Sequence, residues 1–490
     1  ALDYKRRVFM EKIRSKITGK DVVLSFQHMF AMLGATVLVP ILAGMSISMA
    51  LLAAGVGTII FYFLTKKKVP VFLGSSFAFL PSLCTIVGNK LVIGTPEWNG
   101  AMANAVIALV LAGLVYVILA IIIKFVGAEK IKKLFPPIVV GPVVIIIGMI
   151  LAPKMFWNNI IGQYHMAGAT GVAWKEWTTA VITALTIILV NAYAKPKSFL
   201  KVIPILLGFV VGYIYSACIG MVSFEGKFSG DIVIFQQLDK LFGFYGPEGM
   251  GSLNGEKLGS AILMVVPLAM VTFMEHLGDI AANSTICGKD FMVDPGLHRT
   301  VLGDGVATMV AGLLGAPANT TYGENTAVLA ITKNYNPRNI FLAACLAVIS
   351  GIFVPFGEFL STIPSAVIGG ASIVLFGMIS ASGLRSLVEG KVDFSVSKNV
   401  IVVSVTLAIG LGLGAMSLAG DITGDNALKI MIGQVEVSPL ALATLVAIIL
   451  NLVIPETKDE PEVEDYYVNL ASSQAVDIKE ETEKSDKKDK

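Results

Sequence analysis

Fourteen apolar runs of roughly membrane-spanning length constrain this chain more than any other feature. A helix needs about 20 mainly apolar residues to cross a bilayer, and most of the runs reach that length. Only 15% of the residues are charged, so the chain cannot cover a water-facing surface as a soluble domain does. The runs fall at residues 22–44, 47–64, 69–87, 101–125, 136–153, 176–194, 202–222, 258–284, 300–316, 317–333, 339–358, 361–383, 397–416 and 437–455. The sequence therefore predicts an all-α polytopic membrane protein.

The distribution of Lys and Arg tests this division, because cytoplasmic loops carry an excess of positive residues. With a cytoplasmic N-terminus, 30 of the 37 Lys and Arg residues fall on the cytoplasmic side and seven on the outer side. We therefore expect both termini to be cytoplasmic. Residues 1–21 are a basic segment without a long apolar stretch, which does not fit a cleavable signal peptide. Residues 456–490 are rich in charge, and we expect a disordered cytoplasmic tail there.

Two pairs of motifs, each seven runs apart, suggest an inverted repeat. The fifth and twelfth runs open with similar Pro- and Gly-containing motifs at 135–142 and 363–370. The third and tenth runs are both broken by Gly, Pro and polar residues in their first halves. Because seven is odd, the second half would lie inverted in the membrane, as in many secondary transporters. Lipid-facing backbone cannot be irregular, so the broken runs are expected to line a binding site.

Few ionisable side chains lie at membrane depth, where each costs at least about 2.5 kcal/mol unless it is paired or functional. They are His28, Glu275, His276, Asp279, Asp304 and Glu324. Glu275 and Asp279 are four residues apart and therefore share one helix face. We expect the pair to titrate as a coupled unit, with one carboxyl holding a proton near neutral pH. His276 points to another face and is expected to hydrogen-bond in helix packing, while Asp304 stays open between a structural and a functional role.

Several motifs recur in order over about residues 20–455. They are QHMFAM at 27–32, GAT at 34–36, GSSFAF at 74–79, EHLG at 275–278, DPGLHR at 294–299 and NTTYGEN at 319–325. Together they resemble the nucleobase–ascorbate transporter (nucleobase:cation symporter-2) family, and within it most closely the bacterial uracil permeases. Several long motifs at once are far more specific than any one of them.

The resemblance implies an architecture that composition alone does not show. It implies fourteen transmembrane segments in two inverted seven-span repeats, with short β-strands in the broken spans 3 and 10. Residues 22–125 and 258–358 would form a core domain, and residues 136–222 and 361–455 a gate domain. The family's members are often dimers and often driven by protons. We therefore expect a nucleobase importer of the bacterial plasma membrane that alternates access between the two domains.

The resemblance also implies a substrate site. Glu275 would accept hydrogen bonds from ring N–H groups of the base, and Glu324 would bind the remaining N–H side. The backbone of Phe77 and Gly323 would contact the carbonyl edges of the ring. The chemistry suits uracil, because carboxylates match its N–H donors and backbone N–H groups match its carbonyls. Neither a cofactor, a metal nor a nucleic-acid partner is expected, and no enzyme motif is evident.

Energy coupling is expected to use the same acidic groups. The hypothesis is proton symport, with Glu275 as the main coupling group and Asp279 as its modulator. His28 is included in this polar network, although a packing role is equally open. Na⁺ coupling through carboxylate and carbonyl oxygens also stays open.

Two departures from the family pattern bear on the substrate. Ala327 stands where Gly is usual in the tenth-span signature, although Glu324 at its head resembles uracil carriers. Asp279 stands where uracil permeases often have His and purine carriers have Asp, so xanthine is the alternative substrate. A sulfate-type anion transporter would share the architecture, but paired acids at its centre argue against it. A channel is not excluded by the sequence.

Overall fold

The computed structural model describes residues 18–88, 91–127, 136–161, 174–195, 198–226, 228–423, 426–428, 430–432 and 435–455. Residues 1–17 and the tail at 456–490, for which disorder is expected, lie outside the described residues. Within the described part, the chain is mostly helical.

The described residues contain seventeen α-helices and four short strands, besides seven short 3₁₀ and π helices. The helices are α1 (Gly19–Ala43), α2 (Ile47–Leu64), α3 (Leu80–Ile86), α4 (Pro96–Val126), α5 (Pro137–Phe156), α6 (Trp174–Tyr193), α7 (Pro204–Cys218), α8 (Leu238–Leu241), α9 (Gly255–Val265), α10 (Leu268–Cys287), α11 (Leu297–Leu313), α12 (Gly323–Thr332), α13 (Pro337–Ile352), α14 (Val354–Leu360), α15 (Ser365–Glu389), α16 (Ser397–Thr423) and α17 (Pro439–Val453). The strands are β1 (Leu73–Ser75), β2 (Asn319–Thr321), β3 (Met431–Ile432) and β4 (Val435–Glu436), paired β1 with β2 and β3 with β4.

Membrane-length helices dominate this structure. Within the described residues, eight helical segments are long and apolar enough to cross a bilayer. They are Asp21–Ala43, Ile47–Leu64, Pro96–Val126, Pro137–Ile161, Trp174–Tyr193, Gly255–Cys287, Ser365–Glu389 and Ser397–Thr423. Three shorter apolar helices, α7, α13 and α17, accompany them. The prediction of a polytopic helical membrane protein is therefore confirmed.

Local sequence accounts for several helix boundaries. Thr18 and Asp21 form a capping box at the start of α1, and Ser46 caps α2 through its side chain. Gly44 ends α1 in the left-handed conformation, which glycine adopts without steric cost. The eighth apolar run is divided into α9 and α10 at Pro267, because proline lacks the N–H that would continue the helix.

The long helices pack in two groups. In the first, α2 packs on α11 and α13, and α4 packs on α11. In the second, α15 packs on α5, α6 and α7, and α16 packs on α5 and α17. Glycine permits close approach within the first group, since a Cβ on Gly113 of α4 would lie 2.7 Å from the Gly305 carbonyl oxygen of α11. The strands β1 and β2 lie against the first group, where β1 contacts α1 and α2, and β2 contacts α10 and α11.

Candidate functional site

Two short strands, β1 and β2, pair with each other against the first helix group, and the place where they meet is called the strand crossing. β1 and β2 pair antiparallel, with Leu73 opposite Thr321 and Ser75 opposite Asn319. A helix follows each strand, α3 after β1 and α12 after β2. The sequence predicts broken segments at these two positions, and a buried strand pair satisfies backbone groups that lipid could not.

Threonines on two neighbouring helices bind the backbone of the strands. Thr58 Oγ1 of α2 accepts a hydrogen bond from Leu73 N at 2.9 Å and donates to Leu73 O at 3.2 Å. Thr308 Oγ1 of α11 donates to Asn319 O at 2.8 Å. The two threonines end similar sequences, AGVGT at 54–58 and DGVAT at 304–308. The two halves of the chain thus support their strands in related ways.

Tyr322, between β2 and α12, ties three elements together. Its hydroxyl accepts a hydrogen bond from Thr36 Oγ1 of α1 at 3.2 Å and donates to Ser75 O of β1 at 2.8 Å. Gly74 leaves room for the Tyr322 ring, because a Cβ at Gly74 would lie 2.5 Å from that ring. The start of α12 is therefore fixed against both α1 and β1.

One acidic side chain of α10, that of Asp279, faces the start of α12. Glu275 and Asp279 are partly buried, and Thr321 Oγ1 donates a hydrogen bond of 2.6 Å to Asp279 Oδ2. A Cβ on Gly323 would lie 3.7 Å from Asp279 Oδ1, so Asp279 faces the first residue of α12. The structure thus places Asp279, one helical turn from Glu275 on α10, beside the start of α12, whose second residue is Glu324.

Phe77 lies between β1 and α3, at the boundary between the two helix groups. Its carbonyl accepts a hydrogen bond from Leu80 N at 3.1 Å. Its ring meets the Phe376 ring of α15 edge to face, with 5.8 Å between the ring centroids. Phe77 and Gly323 each lie two residues beyond the end of a strand, which keeps their backbone close to the strand crossing.

His28 lies against Asn325, the neighbour of Glu324. Asn325 Nδ2 donates to His28 O at 2.9 Å and lies 3.3 Å from His28 Nδ1, and both side chains are buried. His28 of α1 therefore contacts α12 through Asn325. The importance of Asn325 as its partner was not predicted, although Asn325 stands within the NTTYGEN motif.

His276 and Asp304 form a separate buried pair. His276 Nδ1 lies 3.1 Å from Asp304 Oδ2, and both side chains are fully buried between α10 and α11. The Phe61 ring meets the His276 ring nearly at right angles. The sequence left the roles of His276 and Asp304 least defined. In the structure the two residues contact each other.

The family of the chain follows from its sequence match. Residues 19–418 match the model of a family described as "Permease family". The chain belongs to this permease family. The permease is 38% identical over 440 residues to the uracil permease of Bacillus caldolyticus, covering 89% of this chain and 92% of the relative. It is 37% identical over 439 residues to the uracil permease of Bacillus subtilis (strain 168), covering 90% and 93%. The resemblance drawn from the motifs is thereby confirmed.

A solved structure shares the fold of this permease. The transmembrane domain of the cyanobacterial bicarbonate transporter BicA matches it with a TM-score of 0.56 and 14% sequence identity. The match covers 82% of the permease and 97% of that chain. At this identity the likeness concerns the fold alone.

Proposed function

We propose that this permease imports uracil together with protons. The observation that carries the proposal is the position of Asp279, one helical turn from Glu275, against Thr321 of β2 and the start of α12, in a chain similar to uracil permeases over about nine-tenths of its length. Acidic side chains at membrane depth are costly and mark substrate or proton sites.

Uracil alternates N–H donors and carbonyl acceptors around its ring. Glu275 and Glu324 provide the carboxylate acceptors for the N–H groups, and the backbone of Phe77 and Gly323 contacts the carbonyl edges. Gly323 begins α12, and the first N–H groups of a helix lack intrahelical partners. An unpaired polar group in such a site costs about 1–3 kcal/mol, which favours bases whose groups match.

Proton coupling uses the same acids. Glu275 binds and releases the transported proton, and Asp279, one helical turn away, modulates it. Thr321 holds Asp279 in place through its hydrogen bond. His28 takes part through Asn325, which is next to Glu324 in the chain.

In the proposed architecture, the permease has fourteen transmembrane spans in two inverted repeats. The eight long segments, the three shorter apolar helices, α11 and the two strand–helix units would supply them. The helix contacts support a repeat, because α2 with α13 and α4 with α11 are pairs that a seven-span inversion exchanges. The first helix group is the core domain and the second the gate domain, which move relative to each other. Both termini are cytoplasmic, and the permease acts as a homodimer.

Ligand binding by the purified permease tests the substrate. We expect labelled uracil to bind and unlabelled uracil to displace it at lower concentration than xanthine, while sulfate has no effect. Displacement by xanthine at a much lower concentration than uracil would assign the permease to purines. Thermal stabilisation by sulfate but not by uracil would instead indicate an anion carrier of the same fold.

A further inference from the structure

A pocket apart from the acidic cluster lies between the two proposed domains. It has about 450 Å³ of empty space, part of it open to solvent. Pro81, Ser82 and Thr85 of α3 line it from the core side, together with one residue of α9. α5, α16 and the start of α17 line it from the gate side. Pockets between domains are common ligand sites.

The wall on the gate side carries an ion pair. Lys154 Nζ of α5 lies 2.9 Å from Asp421 Oδ2 of α16, and both residues line the pocket. Their side chains are 14% and 29% exposed, so neither is freely solvated. The pocket therefore presents a strong hydrogen-bond donor beside a strong acceptor.

The position of the pocket connects it to the acidic site. Pro81 is four residues beyond Phe77 in the chain and is the second residue of α3. With the proposed cytoplasmic N-terminus, α5 runs outward and Lys154 lies near its outer end. The pocket thus lies on the outer side of Phe77, between the external solution and the strand crossing.

We propose that this outer pocket is a second, transient binding site, in which the base docks before it reaches the acidic site. This inference rests on the proposed function. The ligand is a small planar heterocycle with ring N–H and carbonyl groups. Lys154 donates to a ring carbonyl, Asp421 accepts from a ring N–H, and the apolar side chains of Ile150 and Leu418 cover the ring faces.

Two substitutions and one control test the outer pocket. Ser417→Trp fills it from α16, and Asp421→Asn removes the charged acceptor. Met416→Trp is the control, because Met416 is the next residue on α16, is 46% exposed and does not line the pocket. Two quantities are measured for each variant with uracil: the KM of uptake from outside into right-side-out vesicles, and the equilibrium Kd of the purified permease.

We expect Asp421→Asn to raise the KM of uptake by roughly tenfold, as expected for the loss of one hydrogen bond to a charged group. Ser417→Trp should also raise the KM, because its side chain occupies the pocket. The Kd of both variants should stay within twofold of the unsubstituted permease, as a rough criterion, because the acidic site is intact. Met416→Trp should change neither value. An unchanged KM in both pocket variants would overturn the inference, and so would a Kd that rises in parallel with KM. Absence of uracil binding by the unsubstituted permease would reject the proposed function itself.

Discussion

The hydrogen bond between Thr321 and Asp279 gives a quantitative test of how the site is held together. Thr321→Val keeps the shape of the side chain and removes its only donor. Interhelical hydrogen bonds in membrane proteins average about 0.6 kcal/mol and reach about 1.7 kcal/mol. The 2.6 Å separation falls in the range of hydrogen bonds to carboxylates, which are the stronger kind. We therefore expect a coupling free energy of about 1–1.7 kcal/mol between the two residues.

A double-mutant cycle in detergent unfolding measures this coupling, with Thr321→Val, Asp279→Ala and the combined variant. Thr320→Val is the matched control, because Thr320 is the neighbouring buried threonine of β2 and, among the described residues, its Oγ1 has no hydrogen-bond partner. Thr320→Val should leave the free energy of unfolding unchanged or slightly raise it. Thr321→Val should also weaken uracil binding, since Asp279 loses the contact that orients it. A coupling energy near zero, or equal destabilisation by both threonine variants, would refute the reasoning.

Other substitutions test the remaining parts of the site. Glu324→Gln should weaken uracil binding by about tenfold or more in a folded protein, because an amide N–H replaces a carboxylate acceptor. Unchanged affinity would show that Glu324 does not contact uracil. Gly74→Ala should reduce thermal stability and uracil binding together, since its Cβ would collide with the Tyr322 ring. Gly278→Ala is its control, because a Cβ there meets nothing within 4 Å; equal thermal stability of the two alanine variants would contradict the packing described for Tyr322.

The sequence predicted the helices best where local signals act alone. The second apolar run, 47–64, has the bounds of α2, because Ser46 caps its start and polar residues follow its end. The loop segment near residue 229 could not be predicted in this way. There Ser229 donates to Glu358 Oε1 through its backbone N at 3.1 Å and its hydroxyl at 2.6 Å. Such contacts join residues far apart in the chain and leave no periodic signal.

For the candidate site, the sequence predicts residue types and helix faces. The spacing of Glu275 and Asp279 placed both on one face, and the structure turns Asp279 toward the start of α12. The partner of His276 was not predictable, because Asp304 lies on another helix and only packing brings the two within 3.1 Å. The role of Thr321 was hidden for a related reason. A strand alternates its side chains between two faces, and the sequence does not say which face meets α10.

Accumulation of labelled uracil by proteoliposomes tests the central claim most directly. The purified permease would be reconstituted and given an imposed pH gradient, a Na⁺ gradient, both or neither. We expect concentrative uptake whenever the exterior is acidic, with no dependence on Na⁺, and loss of accumulation when the pH gradient is collapsed. Accumulation that follows the Na⁺ gradient and ignores pH would contradict proton symport through Glu275 and Asp279. Absence of uracil uptake under every gradient, by a permease that remains folded, would contradict the proposed function as a whole.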